Sequence, residues 1–311
     1  MKKPALIFFG ILLVILIGIY FIIPQKIVTT HNVEVGTIDL NVAKFLVYKK
    51  TWSKWWPGQH NSSQPDLYTY NGIEFLLQKN TNAQIDVVID PKGINLPGTI
   101  TYLATSDDVC KVTWVTETLS QLNPVSRVTE YLKIKSATKN IDAILARFKS
   151  FMQQDSNIYG ITVVAEKIKF PIVVAKTTNT STYPTVKTVY SLIADLKKQV
   201  QQQQALELDS PMLNIHQMEK GFQVMVAIPI NKLITPAKGS VINKLPKGGN
   251  LLSARVKGGF KTVNDAFTQL KNFQTDKGLK SPAMPYASLL TNRLAEPDSG
   301  KWITKIYYPS Y

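Results

Sequence analysis

A single cysteine, Cys110, leaves no intramolecular disulfide and no cysteine-built zinc cluster open to this chain of 311 residues. Histidine is nearly as scarce: His31, His60 and His216 stand far apart without a ligand partner nearby, which argues against a His-rich metal site. No G-x-S-x-G elbow, H-E-x-x-H pair, G-x-x-x-x-G-K-[ST] loop or G-x-G-x-x-G turn occurs, so the common hydrolase, metalloprotease and nucleotide signatures are missing. Acids are few, 21 against 36 Lys plus Arg, for a formal charge of +15. The excess is uneven: residues 1–155 carry 16 basic and 12 acidic residues, residues 156–311 carry 20 and 9. Arginine is rare, with only Arg127, Arg147, Arg255 and Arg293. Base-edge readout favours arginine forks, and the lysines are scattered with no helix-turn-helix or RNA-binding motif beside them. The charge therefore reads as a solvated basic face, with attraction to an anionic membrane surface as the second reading, and no nucleic acid partner.

What is abundant is apolar. With 44% hydrophobic and 18% charged residues the chain can bury real cores, and its length suits about two domains. Residues Ala5 to Ile23 are free of charge and, apart from Tyr20, of polar groups. At about 1.5 Å per residue such a helix covers roughly the 30 Å hydrocarbon core of a bilayer. The run is long for a signal peptide and no A-x-A site follows it, which favours an uncleaved anchor over residues 1–27 that meets the lipid bilayer through residues 5–23. Lys2 and Lys3 before the span, against Lys26 alone just after it, place the N-terminus in the cytoplasm and the remaining chain outside it.

Residues 28–156 read as a first domain. A β-branched run over residues 28–36 precedes a helix over Asn41–Trp56 that ends at Pro57-Gly58. Strands follow at Tyr68–Leu77, Ile85–Ile89, Thr99–Ala104 and Val109–Thr118, with turn pairs such as Asn71-Gly72, Pro91-Lys92-Gly93 and Ser106-Asp107-Asp108. Helical spacing of Ile141, Ile144, Leu145, Phe148, Phe151 and Met152 predicts a closing helix over Thr138–Gln153. A strand, a short helix ending W-x-x-W-x-P at Trp52, Trp55 and Pro57, a curved antiparallel sheet and a long helix ending FKSFM resemble the START-like (SRPBCC, polyketide-cyclase-type) superfamily. That resemblance implies a helix-grip sheet around an apolar cavity. It makes Trp52, Trp55, Trp56, Tyr70, Phe75, Tyr102 and Trp114 candidates for the cavity walls, with ordinary core packing as the other reading.

Residues 157–311 contain a weak internal repeat of strand, helix, strand, strand. The first copy runs through Gly160–Lys176, Thr185–Gln202, Met212–Gln217 and Phe222–Ile228, and the second through Leu251–Lys257, Lys261–Thr275, Tyr286–Leu290 and Trp302–Tyr308. Two such units would pair about a pseudo-twofold axis and leave a cleft between their helices. The run ARVKGGFKTVNDAF and the ending AEPDSGKWITKIYYP, with Trp302, Thr304, Ile306, Tyr307 and Pro309, resemble the GyrI-like (AraC-type effector-binding) domain. Within PYASLLTNRL, Ala287 stands where members of that family often carry glutamate and Leu289 where they carry tyrosine. The cationic-ligand or hydrolytic role which that glutamate supports in the family is therefore not carried over to this chain. Tyr190, Phe222, Phe267, Tyr286 and Trp302 are the candidate ligand contacts of this cleft, with helix-on-sheet packing as the alternative.

The remaining residues offer little for catalysis. Asp107-Asp108 sit together in a turn, Glu117 and Glu130 are candidates to face the first cavity, and Cys110 reads as a small buried apolar group. The fold class expected is α+β: an N-terminal transmembrane helix, a helix-grip antiparallel sheet domain, then a duplicated GyrI-like domain. The function expected is a membrane-anchored, non-enzymatic protein that binds a small apolar or amphipathic ligand in one or both cavities, with no metal and no cofactor. The alternatives are a cyclase or hydrolase acting in the START-like cavity, or an envelope scaffold without ligand.

Overall fold

In the computed structural model, residues 2–81, 84–90, 92–281 and 283–311 are described, with the side chains of residues 2–7 and of Phe9 outside the description. The expected turn at Pro91-Lys92-Gly93 thus lies partly beyond the described residues. Two units divide the chain, Met1–Gln154 and Asp155–Tyr311. Each carries one antiparallel sheet with helices, a mixed α+β architecture.

The uncharged N-terminal run folds as α1 (Lys2–Ile22) and passes through Pro24 directly into β1 (Lys26–Val35). Among the described residues no helix is long and apolar enough to cross a membrane. The single helix expected over Asn41–Trp56 is instead two, α2 (Asp39–Leu46) and α3 (Lys49–Trp52). Tyr48 between them is extended (φ −87°, ψ 104°), which interrupts the helical ladder. The strands are β2 (Gln59–His60), β3 (Leu67–Tyr70), β4 (Ile73–Asn80), β5 (Gln84–Ile89), β6 (Leu96–Ser106) and β7 (Val109–Leu119). The expected strand Tyr68–Leu77 is therefore a hairpin. Its turn residues Asn71 and Gly72 both have positive φ (48° and 76°), as a tight two-residue connection with the hand of the sheet requires.

Sheet order is β1-β7-β6-β5-β4-β3-β2, an antiparallel meander with β1 added beside β7. The closing helix α4 (Pro124–Met152) starts 14 residues before the expected Thr138. Asn123 caps it by accepting from the N–H groups of Val125 and Ser126, and Pro124 takes the first position, where its missing N–H costs nothing. Its early turns leave Val125 and Leu132 exposed, so the buried apolar stripe begins only at Ile134.

The unit's core is aromatic. Trp52, Trp55, Phe45, Phe75, Trp114 and Phe148 are all fully buried. Gly98 on β6 lets the Trp114 indole lie against bare backbone, since a Cβ there would sit 2.7 Å from Trp114 Nε1.

The second unit comprises α5 (Asp155–Tyr159), β8 (Val164–Lys167), β9 (Ile172–Thr180), α6 (Val186–Gln202), β10 (Met212–Gln217), β11 (Phe222–Pro229), β12 (Ser240–Lys244), β13 (Asn250–Lys257), α7 (Phe260–Asp276), β14 (Tyr286–Leu289) and β15 (Ile303–Pro309). Sheet order is β12-β9-β11-β10-β14-β15-β13-β8. Read outward from the centre, β10-β11-β9 mirrors β14-β15-β13, so the duplicated order foreseen in the sequence becomes a pseudo-twofold axis between β10 and β14. These two strands pair antiparallel at Met212↔Ser288 and Leu213↔Ala287. β12 lies within the stretch 231–250 that reads as loop in sequence, and it extends the edge beside β9.

Helix α6 packs on β9 and β11, and α7 on β13 and β15. Thr185 caps α6 through the N–H of Thr188. At the entry to α7, Gly258 has φ 149° and a Cβ there would lie 2.4 Å from Thr262 Oγ1, so that turn needs glycine.

Candidate functional site

Two helices seated on opposite halves of one sheet leave a trough between them. Here it is a two-lobed cleft whose floor is β10 and β14. Alternation along each strand selects the floor residues: Leu213 and Ile215 of β10 and Ala287 of β14 face the helices, while Met212, Tyr286 and Ser288 face the other side. The lobe beside α7 encloses about 390 Å³ and the lobe beside α6 about 270 Å³. Tyr183, Leu213, Ile215, Phe260 and Arg293 belong to both lobes.

Tyr183 comes from the β9–α6 loop and Phe260 from the first turn of α7. Their rings meet across the cleft, centroids 4.1 Å apart, and Phe222 packs edge-on against Tyr183 at 5.4 Å. Burial pushes the Tyr183 phenol up to about 12, although the charge of Arg293 acts the other way.

Arg293 is the charged group of the cleft. Its backbone N–H donates to Tyr190 Oη (2.8 Å), and Tyr190 Oη donates to the carbonyl of Thr291 (3.1 Å), so α6 fixes the loop that carries it. One Nη2 N–H donates to Thr304 Oγ1 (2.9 Å), and the guanidinium lies over the Trp302 ring, 4.7 Å from its centroid. Burial lowers the Arg293 pKa, an effect that the nearby Tyr190 and Tyr183 oppose. Among the described residues lining either lobe there is no Asp, Glu, His or Cys.

The structure distributes the five candidates of this unit over three places. Tyr190 and Trp302 line the α6 lobe and Phe267 lines the α7 lobe. Phe222 stands behind Tyr183. Tyr286 is on the opposite face of the sheet, because its neighbour Ala287 occupies the cleft floor. There it stacks on Tyr307 (centroids 4.9 Å apart), and burial raises its phenol above the usual tyrosine range. Sequence reading missed Tyr183, Phe260 and the placement of Arg293; the rarity of arginine in a lysine-rich chain was the one available hint.

In the first unit, Trp52, Trp55, Phe75 and Trp114 are buried against one another and their neighbours, whereas Tyr70 and Tyr102 are only half-buried. Trp52 and Trp55 centroids are 4.7 Å apart, Trp55 meets Phe148 of α4 at 4.7 Å, and Phe75 meets Trp114 at 6.0 Å. None of the seven candidates lines the polar depression of about 500 Å³ between Gly93-Ile94 and the first turns of α4. Glu130 borders that depression, and Glu117 pairs with Lys26 at 2.6 Å. Cys110 is buried, and desolvation, then the charge of Asp39, pushes its thiol to about 11, so it is a poor nucleophile at neutral pH.

The outer face of the second sheet holds a polar cavity of about 460 Å³ and an apolar groove of about 640 Å³. The polar cavity is organised by Glu166, which accepts from Lys305 Nζ and Ser253 Oγ. Burial acts to raise the Glu166 pKa, but these hydrogen bonds and the charges of Lys305 and Lys169 outweigh it and hold it low. A carboxylate depressed in the folded state contributes stability above the ordinary glutamate value and loses that contribution as pH falls through its folded value. Glu166→Gln should therefore flatten the acid limb of the thermal stability curve below the ordinary glutamate range. The pair is partly exposed, so the effect should stay below about 1 kcal/mol. An acid limb of unchanged slope in melting scans would contradict the assignment.

Comparison with known proteins finds no matching family model and no matching curated protein. Solved structures do match. The crystal structure of the EcmrR C-terminal domain is 17% identical and covers 49% of this chain and 98% of its own, with a TM-score of 0.40. SAV2435 bound to tetraphenylphosphonium is 11% identical over 48% of this chain and 93% of its own, TM-score 0.32. The di-domain ARO/CYC BexL is 13% identical over 92% of this chain and 85% of its own, TM-score 0.34. Likeness at this level says nothing of function, and the site is read from its own residues.

Proposed function

We propose that the protein binds a small amphipathic molecule in the cleft between α6 and α7, without transforming it, while α1 holds it at a membrane. The observation that carries the reading is the cleft itself: hundreds of cubic ångströms walled by Tyr183, Tyr190, Phe260, Phe267 and Trp302, with, among the described residues, one cation and no acid, histidine or cysteine in the lining. Such walls bind flat or chain-like apolar bodies at low entropic cost, and the missing acid–base pair leaves nothing to drive a proton transfer. The duplicated strand–helix–strand–strand order is also that of the GyrI-like domain, which the sequence resembles. In the first unit Trp52, Trp55, Phe75 and Trp114 are buried against one another and their neighbours, and the reading gives the ligand to the cleft of the second unit, whose walls are aromatic and whose volume is defined.

The anchor reading rests on the uncharged run Ala5–Ile23 and on what surrounds the end of α1. Leu119, Leu122 and Val125 are exposed, Leu122 by 82%, and the β7–α4 loop between Leu119 and Val125 is bonded to residues 20–25. Large apolar side chains beside the end of a hydrophobic helix suit the interfacial layer of a bilayer. Lys2 and Lys3 then put the N-terminus in the cytoplasm and both units outside it.

Native mass spectrometry of the full-length protein extracted in mild detergent should show a copurifying small molecule. Protein that is always empty would count against the binding reading. Alkaline carbonate should leave the chain in the membrane pellet, and release into the supernatant would refute the anchor.

A further inference from the structure

The charge inside the cleft has a sign, and it narrows what can enter. Arg293 brings a guanidinium with five N–H donors to the boundary of the two lobes. One is spent on Thr304 Oγ1, and the face of the group is spent on Trp302. Among the described residues no carboxylate pairs with it, although the chain's surface carries many such pairs, from Lys26–Glu117 to Lys305–Glu166. Ala287 and Leu213 on the floor beneath are apolar, and Asn214, Asn264, Thr268 and Thr185 bring only neutral polar groups. A partly desolvated cation without a counter-ion penalises an entering cation and rewards an entering anion, because the ligand then supplies the missing partner. The arginine is also held ready for this: Tyr190 fixes its backbone, Thr304 its fork and Trp302 its plane. A group fixed at three points loses little further entropy when it takes up an oxyanion.

Resting on the cleft reading above, we propose that the ligand is an amphipathic anion, with an aromatic or chain-like apolar body between Tyr183, Phe260 and Phe267 and a carboxylate-type oxyanion on Arg293. Other strong candidates carry less. The Glu166–Lys305 cluster on the outer face neutralises itself, and nothing in the structure shows what covers the neighbouring apolar groove.

The test uses three probes with one naphthalene body and different heads: 1-naphthaleneacetate, neutral 2-(1-naphthyl)ethanol and cationic 1-naphthylmethylammonium. Each is titrated by calorimetry into the full-length protein in zwitterionic nanodiscs, with empty nanodiscs as the blank. The expected order is anion over alcohol over cation, the anion at least about tenfold tighter than the alcohol, as a charge-assisted hydrogen bond provides. Arg293→Met should abolish the preference for the anion over the alcohol, whatever the variant's absolute affinities. Arg293→Lys, which keeps the charge but loses the fork, should fall between them. The ranking on the unaltered protein stands alone if Arg293→Met fails to fold. An alcohol that binds as tightly as the anion would overturn the proposal and leave the cleft reading intact. If none of the three probes binds, the cleft reading falls and takes this proposal with it.

Discussion

Trp55→Ala should cost the first unit about 3–5 kcal/mol, the range for truncating a large buried aromatic. Trp55 is 1% exposed and its ring contacts Trp52 and Phe148 at 4.7 Å and Trp56 at 5.8 Å. Its Nε1 donates to the carbonyl of Phe45 (3.1 Å), so truncation also strands a buried acceptor. The ring joins α4 to the α2–α3 segment, whereas its neighbour Trp56 turns the other way, onto Tyr68 and Phe75 of the sheet. Adjacent residues in a turn can diverge in this manner, and each indole seals a different seam. Denaturant unfolding followed by tryptophan fluorescence reports mainly on this unit, because four of the five tryptophans lie in it. The result also separates two pictures of the interior. Where rings fill the space, removing one opens a cavity and the full cost appears. Where Trp55 only walls a void, truncation enlarges a space that already exists, and a loss below about 1 kcal/mol would reveal it.

That distinction marks where sequence reasoning stops. The START-like resemblance made Trp52, Trp55, Phe75 and Trp114 candidates for cavity walls, with ordinary core packing as the other reading, and all four are buried. Whether interior rings line a hollow or plug it depends on summed volume and rotamers across several elements, which no pattern along one chain encodes. In the second unit the duplication was legible because each copy buries one helix face and one sheet face, so periodicity persists through both. Tyr286 shows a different limit. Strand alternation puts Tyr286 and Ala287 on opposite faces, and because Ala287 takes the cleft floor, the candidate Tyr286 faces away from it. Arg293 and Tyr183 sit in loops, where neither period applies; their place is set by hydrogen bonds from Tyr190 and by ring packing on Phe260, partners 103 and 77 residues away. Helix α4 began early for a related reason: its first turns bury little apolar surface, and its start is written in the Asn123-Pro124 cap instead.

Arg127→Met should loosen α1 from the rest of its unit. Arg127 is buried, and its Nε and Nη2 both donate to the carbonyl of Ile23 (3.2 and 2.6 Å) at the end of α1, where a cation also meets the negative end of the helix dipole. The guanidinium lies 4.8 Å from the centroid of Tyr20, whose hydroxyl donates to the carbonyl of Leu122. Ser120 completes the clasp, its N–H and Oγ donating to Gln25 O and its Oγ also to Pro24 O. Methionine keeps the apolar stem but removes both donors, leaving the Ile23 carbonyl unpaired at a cost of about 1–3 kcal/mol. Hydrogen exchange should rise at the amides of residues 20–28, and trypsin should cut faster after Lys26, with β4–β6 unchanged. Unaltered exchange there would mean that the strand pairing of β1 with β7 alone holds the junction. If the clasp does hold, the end of α1 is tied to the β7–α4 loop by Arg127, Tyr20 and Ser120 together, and removing one donor loosens a junction that the other two still hold.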